Sequence, residues 1–287
     1  MLSNAQIERY YRDGHLVLPG FKAAAEIAAL RRRALEIVDA FDPGAQRSVF
    51  TTHDQARSAS AEFLASGDSV HCFFEEEAFD ASGQLTRPKA LAINKIGHAM
   101  HDLDPVFERF SHGPELAEVA SDLGLAQAQL WQSMFIFKQP GIGGEVKWHQ
   151  DATFLDTTPG SVIGLWFALE DATLDNGCLW VQPGGQRGPL RERFVRQAGA
   201  AGSRAGDSLR MQALDATPWP ETRQARPLEV PAGTLVVLHG RLPHYSAPNR
   251  SARSRHAYTL HAADARGTWS PENWLERGPG LALRGFE

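Results

Sequence analysis

Apolar residues recur at helical spacing near the start of the chain. Between residues 24 and 38, Ile27, Leu30 and Leu35 belong to a series of apolar positions three and four apart, which predicts an amphipathic helix. Residues 4–39 are expected to be helical. The exception is a short predicted strand at residues 14–20, with glycine and proline at its ends.

A second helical pattern covers residues 104–123. Phe107, Phe110, Leu116 and Val119 are three to six residues apart, and Gly124 provides a plausible end to the helix.

From Gln129 onward the pattern changes to short apolar runs separated by glycine, proline and asparagine, which favour strands. The predicted strands are residues 130–138, 161–169, 177–182, 233–239 and 256–262.

A helical first half followed by consecutive strands favours a mainly β sandwich or jelly roll with flanking helices, rather than a parallel α/β sheet. We expect one domain over residues 1–287, with a helical part at about 1–125 packed on a β core at about 126–265. Residues 184–226 contain eight arginines and many small residues, and are expected to form a loop or lid.

Composition narrows the function classes. The 287 residues are 43% hydrophobic and 22% charged, with a net charge of −5, so general attraction to nucleic acid is not expected. No apolar run approaches 18 residues and the first residues lack a signal pattern, which predicts a cytoplasmic protein without membrane association. The two cysteines, Cys72 and Cys178, are expected to be reduced.

Candidate metal ligands lie in the β half. His149 and Asp151 are two residues apart, so on an extended segment they project from the same face. With His244 as a third ligand, they would form the facial two-histidine, one-carboxylate arrangement of non-haem Fe(II) oxygenases. Roughly one chain in two of this composition would contain a His-x-Asp triplet by chance, so a surface turn is the alternative.

An arginine downstream gives the triplet its context. In the strand that follows His244, Arg255 shares a face with Ala257 and Thr259, and a guanidinium on an inner face requires an anion. Arg253 has the same orientation and competes for this role, and a surface ion pair is the other alternative.

Together these residues resemble the phytanoyl-CoA dioxygenase family of Fe(II)- and 2-oxoglutarate-dependent oxygenases. The resemblance covers nearly the whole chain. It is supported by residues 93–99, 132–140, 149–151 and 170–180. It implies a double-stranded β-helix, also called a jelly roll or cupin-like fold.

The resemblance also assigns residues. It implies that His149, Asp151 and His244 are the catalytic iron ligands, and that Arg255, eleven residues after His244, holds the distal carboxylate of 2-oxoglutarate. The full set of cosubstrate contacts would be Lys95, Met134, Trp166, Ser246 and Arg255. Trp148 departs from the family pattern and is interpreted as a core or rim aromatic.

The implied reaction uses dioxygen and 2-oxoglutarate and releases succinate and carbon dioxide while a small organic or acyl-type substrate is hydroxylated. Related halogenating enzymes lack the ligand carboxylate, so Asp151 favours hydroxylation. Arginines in residues 184–226 could bind the phosphates of a coenzyme A thioester, or be solvated charges. A non-catalytic binding module and a cupin-like isomerase or lyase are alternative functions, and the oligomeric state is not determined by the sequence.

Other histidines receive weaker predictions. His239 is expected in the core or behind the ligands. His98 and His101 are expected either to line the substrate pocket or to lie at a helix end or surface. His71 precedes acidic residues 75–77, which are interpreted as solvated charge rather than a metal cluster.

Overall fold

The computed structural model describes residues 1–44, 47–50, 61–197 and 207–286, with the side chains of residues 61 and 62 left out. Six α-helices lie in its first half: α1 (Asn4–Asp13), α2 (Ala24–Ala40), α3 (Ala61–Ala65), α4 (Met100–Leu103), α5 (Pro105–Ser111) and α6 (Pro114–Asp122).

Three strands lie before residue 100: β1 (His15–Leu18), β2 (Val70–Phe74) and β3 (Ile93–His98). The chain from residue 128 onward supplies the other described strands. They are β4 (Ala128–Ile136), β5 (Val146–His149), β6 (Thr157–Thr158), β7 (Ile163–Ala168), β8 (Leu179–Val181), β9 (Glu192–Gln197), β10 (Ser208–Ala213), β11 (Arg226–Leu228), β12 (Leu235–His239), β13 (His244–Ser246), β14 (Ala257–Asp264) and β15 (Thr268–Trp269).

Two antiparallel sheets form the jelly roll, so the predicted fold class is confirmed. The large sheet has the order β1-β12-β7-β14-β4-β3-β2, and the small sheet has the order β11-β8-β13-β5. Two further pairs, β9 with β10 and β6 with β15, extend from them.

Alternation along the strands divides the core into layers. In β7, Leu165 and Phe167 pack with the helices on the outer face of the large sheet, whereas Trp166 and Ala168 pack against the small sheet. Because successive side chains point to opposite faces, a strand with apolar residues at every position is buried on both sides. The inner face of the large sheet therefore borders the space between the two sheets, where the candidate ligands lie.

The helical expectation for the first half was incomplete. Strands β2 and β3 join the edge of the large sheet beside β4, so residues 1–125 do not form a purely helical layer. The predicted helix at residues 104–123 is two helices. Pro114 begins the second one, and a proline lacks the N–H that would continue the preceding hydrogen-bond ladder.

The predicted loop at residues 184–226 is also wrong in part. It contains the antiparallel hairpin of β9 and β10 and the edge strand β11; residues 198–206, with Arg204, lie outside the described part. Both cysteines are buried and free. Within the described residues, none of the helices is long and apolar enough to cross a membrane.

Candidate metal centre

Three side chains converge between the sheets. His149 ends β5, Asp151 begins a short 3₁₀ turn and His244 begins β13 directly opposite His149. The Oδ1 atom of Asp151 lies 3.8 Å from Nε2 of His149 and 3.5 Å from Nε2 of His244. One ligand atom from each residue lies within 4.8 Å of the others, so the three can contact a single ion.

Backbone carbonyls orient both imidazoles. Nδ1 of His149 lies 2.8 Å from the carbonyl oxygen of Lys147, and Nδ1 of His244 lies 3.0 Å from that of Leu242. A ring that donates its Nδ1 proton to a carbonyl keeps an unprotonated Nε2. Burial and the neighbouring His244 lower the pKa of His149 to about 3, so its Nε2 lone pair is available at neutral pH.

The carboxylate of Asp151 is ionised although it is buried. Burial alone would raise its pKa, but His244 and His261 lower it below the usual range. Nε2 of His261 lies 3.4 Å from Oδ1. The other oxygen, Oδ2, is buried and has no hydrogen-bond partner in the described part of the chain. It faces Gly164, where an added methyl carbon would lie 2.7 Å from Oδ2.

Gln150, between the two candidate ligands, points away from them and anchors their segment. Its Nε2 donates to the carbonyl oxygens of Pro189 and Arg241, at 3.0 and 2.8 Å. Its Oε1 accepts from the backbone N–H of Arg191 at 3.0 Å. The side chain is fully buried, so these bonds fix the backbone between His149 and Asp151.

A buried guanidinium lies farther along the inner face. Arg255 is 1% exposed, and its Nε and Nη2 donate to the Gly177 carbonyl oxygen and to Ser246 Oγ, both at 3.2 Å. Nη1 has no partner and no carboxylate lies within ion-pair distance of Arg255 among the described residues. Its Cζ lies 5.3 Å from the ring of Trp166. Arg253 is exposed, so Arg255 is the inward-facing arginine.

Lys95 and Met134 lie on the same inner face. Nζ of Lys95 is 4.0 Å from Sδ of Met134 and 3.6 Å from the ring centre of Phe50. Burial lowers the pKa of Lys95 to about 7. Met134 and Trp166 are both in register with Thr259 of β14, so all five predicted cosubstrate contacts surround one stretch of the space between the sheets.

Trp148 and His239 each contact a neighbouring residue. Trp148 is half-buried and stacks on Tyr245, with ring centres 5.3 Å apart. His239 is half-buried, and its Nδ1 accepts from the N–H of Arg241.

The two histidines near β3 are both buried. His98 bonds to Ser66, and His101 bonds to Ser133, so a surface role is wrong for both. His71 bonds to Ser48 and does not belong to the metal-ligand group found among the described residues.

Two arginines of residues 184–226 form ion pairs that join separate segments. Arg193 pairs with Asp156 and Glu272, both at 3.0 Å. Arg196 pairs with Glu276 at 2.6 Å and with Asp207 at 3.6 Å. Since carboxylates already neutralise these two guanidinium groups, they are poorly suited to receive phosphates.

Sequence reasoning missed His261, Gly164 and the anchoring role of Gln150. A signal for His261 was present, because it continues the alternation of Arg255, Ala257 and Thr259 on the inner face. No comparable signal identifies Gly164, since its contact with Asp151 joins segments that only the folded chain brings together.

Comparisons with known proteins identify the family of the chain. A family model described as phytanoyl-CoA dioxygenase (PhyH) matches residues 10–257. Phytanoyl-CoA dioxygenase 1 of Oryza sativa subsp. japonica is 44% identical over 277 residues, covering 96% of this chain and 94% of that protein. Phytanoyl-CoA dioxygenase domain-containing protein 1 of Bos taurus is 46% identical over 287 residues, covering 98% and 97%.

Solved structures share the fold at lower identity. EctD from S. alaskensis, with 2-oxoglutarate and 5-hydroxyectoine, superimposes with a TM-score of 0.64 at 22% identity, covering 96% of this chain and 84% of that one. The 2-oxoglutarate-dependent carbocyclase SnoK from nogalamycin biosynthesis also gives 0.64 at 17% identity, covering 98% and 96%. The chain belongs to the phytanoyl-CoA dioxygenase family of iron- and 2-oxoglutarate-dependent oxygenases.

Proposed function

We propose that this protein is an Fe(II)- and 2-oxoglutarate-dependent hydroxylase of a small organic substrate. The observation that carries the proposal is the pairing of two sites on one inner face. Three ligand atoms converge within 4.8 Å at one end, and the buried Arg255 lacks a carboxylate partner among the described residues at the other. A short dicarboxylate could bridge them.

The donor set suits iron. His149 and His244 offer imidazole Nε2 atoms, and Asp151 offers an ionised carboxylate whose Oδ2 has no partner in the described chain. Two imidazoles and one carboxylate on one side of a metal leave the remaining positions open for other ligands. We assign all three residues as iron ligands.

The cosubstrate fits the remaining groups. Arg255 would bind the distal carboxylate through its free Nη1 while Ser246 holds Nη2, because a guanidinium fork matches a carboxylate. Trp166 flanks the guanidinium. Lys95 and Met134 would complete the cosubstrate contacts from β3 and β4.

Each group has a distinct task in the reaction. When bound, iron supplies dioxygen activation coupled to decarboxylation of 2-oxoglutarate, so that succinate and carbon dioxide leave and the substrate gains a hydroxyl group. Arg255 and Ser246 orient the cosubstrate. The carbonyls of Lys147 and Leu242 hold the ligand imidazoles in the tautomer that binds metal, and the buried setting excludes water.

An anaerobic titration tests the proposal. Fe(II)-loaded protein should bind 2-oxoglutarate, and Arg255→Met should weaken that binding about 10- to 150-fold, since a charged hydrogen bond contributes about 1.5–3 kcal/mol. Arg253→Met is the matched control, because Arg253 is exposed, and should bind normally. Equal loss in both variants, or no binding by the unaltered protein, would contradict the assignment.

Turnover separates this function from the two alternatives. A hydroxylase releases succinate only with iron, 2-oxoglutarate and oxygen together, and its release rises when a true substrate is added. A binding module would bind 2-oxoglutarate without releasing succinate under any condition. A cupin-like isomerase or lyase would convert its substrate without oxygen.

A further inference from the structure

Residues on the inner face of the large sheet lie in register rows across β4, β14 and β7. Met134, Thr259 and Trp166 form one row, and Gln132, His261 and Gly164 form the next. Arg255 precedes β14, whereas Asp151 contacts His261 and faces Gly164. The direction from Arg255 to the metal ligands therefore runs along β14.

Of the two rows, the one at the metal end remains for the substrate. If the proposed function holds, a cosubstrate that joins Arg255 to the iron lies over the row of Thr259. The row of Gln132 and His261 lies at the metal end, beyond the cosubstrate. A substrate must reach the metal from a side that the cosubstrate leaves open, and this row borders that side.

Three polar side chains at this end have buried atoms without a protein partner. Gln132 is 5% exposed, His261 is 4% exposed and His98 is 1% exposed. Oε1 of Gln132, Nδ1 of His261 and Nε2 of His98 form no hydrogen bond within the described part of the chain. Leaving a buried polar atom unsatisfied is unfavourable, so three such atoms on the adjacent strands β3, β4 and β14 indicate a ligand that bonds to them.

The proton of His98 can be placed from its neighbours. The hydroxyl of Ser66 donates to the carbonyl oxygen of Phe63 at 2.6 Å and lies 2.8 Å from Nδ1 of His98. Since that hydroxyl proton is already used, Ser66 accepts from Nδ1–H of His98. Nε2 is therefore an unprotonated acceptor. Burial, then the nearby Lys95, lowers the pKa of His98 well below its usual value, which agrees with a neutral ring.

His261 contributes a second ring nitrogen without a partner in the described chain. Its Nε2 faces the carboxylate oxygen of Asp151 at 3.4 Å, and a carboxylate can only accept, so Nε2 carries the proton. Nδ1 has no partner among the described residues. Gln132, the cross-strand neighbour of His261, adds an amide that can accept through its oxygen and donate through its nitrogen.

The surrounding walls are aromatic. The ring centre of His98 lies 5.7 Å from that of Phe63, 5.6 Å from that of Phe73 and 5.1 Å from that of Trp274. Flat apolar walls beside a few polar atoms are typical of sites for compact organic molecules.

We propose that Gln132, His261 and His98 form the substrate subsite, and that this subsite takes a compact group carrying O–H or N–H hydrogen-bond donors. The lone pair on Nε2 of His98 repels a carboxylate or a thioester carbonyl, neither of which offers a hydrogen-bond donor. The subsite therefore selects an alcohol, amine or amide over an acid or an acyl thioester.

A matched pair of probes tests this selection. 1-Phenylethanol and acetophenone share a carbon skeleton, but only the alcohol donates a hydrogen bond. Binding is measured by ligand-observed NMR on metal-free protein and on Zn(II)-loaded protein saturated with 2-oxoglutarate. The alcohol should bind about 10-fold more tightly than the ketone, and benzoate should bind more weakly than the alcohol.

Variants tie the preference to these residues. Gln132→Leu and His98→Phe, both close in size to the original side chains, should bring the alcohol-to-ketone ratio towards one. Gln127→Leu, at an exposed position, is the control and should preserve the ratio. Unchanged 2-oxoglutarate affinity in the variants shows that they are folded.

The outcomes are distinguishable. A ratio that survives in both variants, a preference for ketone or benzoate, or no measurable binding of the alcohol overturns the subsite. Failure of the unaltered protein to bind 2-oxoglutarate overturns the proposed function instead. The ratio on metal-free protein still decides the subsite in that case, because the contact between His261 and Asp151 involves no metal.

Discussion

At the scale of single residues, the candidate centre depends on what surrounds Asp151. One of its oxygens lies close to His149, His244 and His261, while the other occupies the space that Gly164 leaves. Side chains that hydrogen-bond to metal ligands commonly tune affinity as strongly as some ligands do. His261 and Gly164 are therefore expected to set the geometry of the carboxylate.

Replacing His261 should weaken metal binding without unfolding the protein. In His261→Leu, Asp151 loses a hydrogen-bond donor, and we expect Co(II) affinity to fall about 10- to 100-fold. His261→Gln keeps an N–H donor and should recover much of the affinity. The measurement is a Co(II) titration followed by its visible absorption. Equal loss in both variants would show that the ring matters for packing rather than for orienting the carboxylate.

A glycine pair offers an independent check of the same carboxylate. Gly164→Ala places a methyl carbon where it would lie 2.7 Å from Asp151 Oδ2, whereas nothing lies within 4 Å of the equivalent position at Gly160. Gly164→Ala should therefore weaken Co(II) binding and change its absorption spectrum. Gly160→Ala should do neither, and identical behaviour of the two variants would contradict the proposed crowding.

Lys95 should make 2-oxoglutarate binding depend on pH. Its folded-state pKa is about 7 because of burial, so the free protein carries this cation below pH 7 and loses it as pH rises. If the cation binds the cosubstrate, the dissociation constant at pH 9 should be about 10- to 100-fold higher than at pH 6. Calorimetry would measure it, and Lys95→Met should remove most of the dependence.

The same shift affects stability in the opposite direction. The ordinary lysine pKa of 10.5 applies to the unfolded chain, which therefore binds more protons than the folded protein between pH 7 and that value. Stability from this group rises with pH across that window and is constant below pH 7.

For the binding prediction, better 2-oxoglutarate binding at pH 9 than at pH 6 would exclude the cationic role of Lys95.

At the scale of elements, the metal segment is held by bonds that cross between loops. Gln150 joins the end of β5 to the backbone at Pro189, Arg191 and Arg241. The hairpin of β9 and β10 is in turn fixed to the C-terminal segment by the ion pairs of Arg193 and Arg196. The arginine-rich segment thus stabilises one side of the site.

Gln150→Leu should destabilise the protein. The substitution leaves two buried carbonyls and one N–H without their partner, and we expect a loss of about 2–4 kcal/mol in the free energy of unfolding. Urea denaturation measures this loss. The exposed Gln127→Leu should stay within about 0.5 kcal/mol of the unaltered protein, and a similarly small change in Gln150→Leu would contradict the anchoring role.

At the scale of the whole molecule, metal and cosubstrate should stabilise the fold together. In the proposed site both bind between the two sheets, so each ligand should favour the folded state by an amount that grows with its concentration over its dissociation constant. At about 100 times that constant the gain is about 2.7 kcal/mol.

We therefore expect Zn(II) to raise Tm, and 2-oxoglutarate to raise it further only when metal is present. Thermal unfolding with each ligand alone and with both measures this order. Asp151→Ala should lose both increments. Stabilisation of that variant by Zn(II) to the normal extent would place the metal elsewhere.

The sequence alone was sufficient to predict the jelly-roll class, the family and the candidate site residues. Local apolar periodicity predicts which segments become strands, because side-chain direction along a strand is a local property. Alternation placed Arg253 and Arg255 on the same face, and the family resemblance favoured Arg255; the structure buries Arg255 and exposes Arg253. The same local reasoning failed where a short segment joined a distant partner. Strands β2 and β3 lie in the helical half yet complete the large sheet.

Only the tertiary structure decided how the site is supported. The contact of Gly164 with Asp151, the bonds of Gln150 to separate loops and the ion pairs of the arginine-rich segment join residues far apart in sequence. Such contacts depend on how the sheets pack and not on local propensity. The substrate subsite belongs to this second group, since its three side chains come from β3, β4 and β14 and become neighbours only when those strands pair.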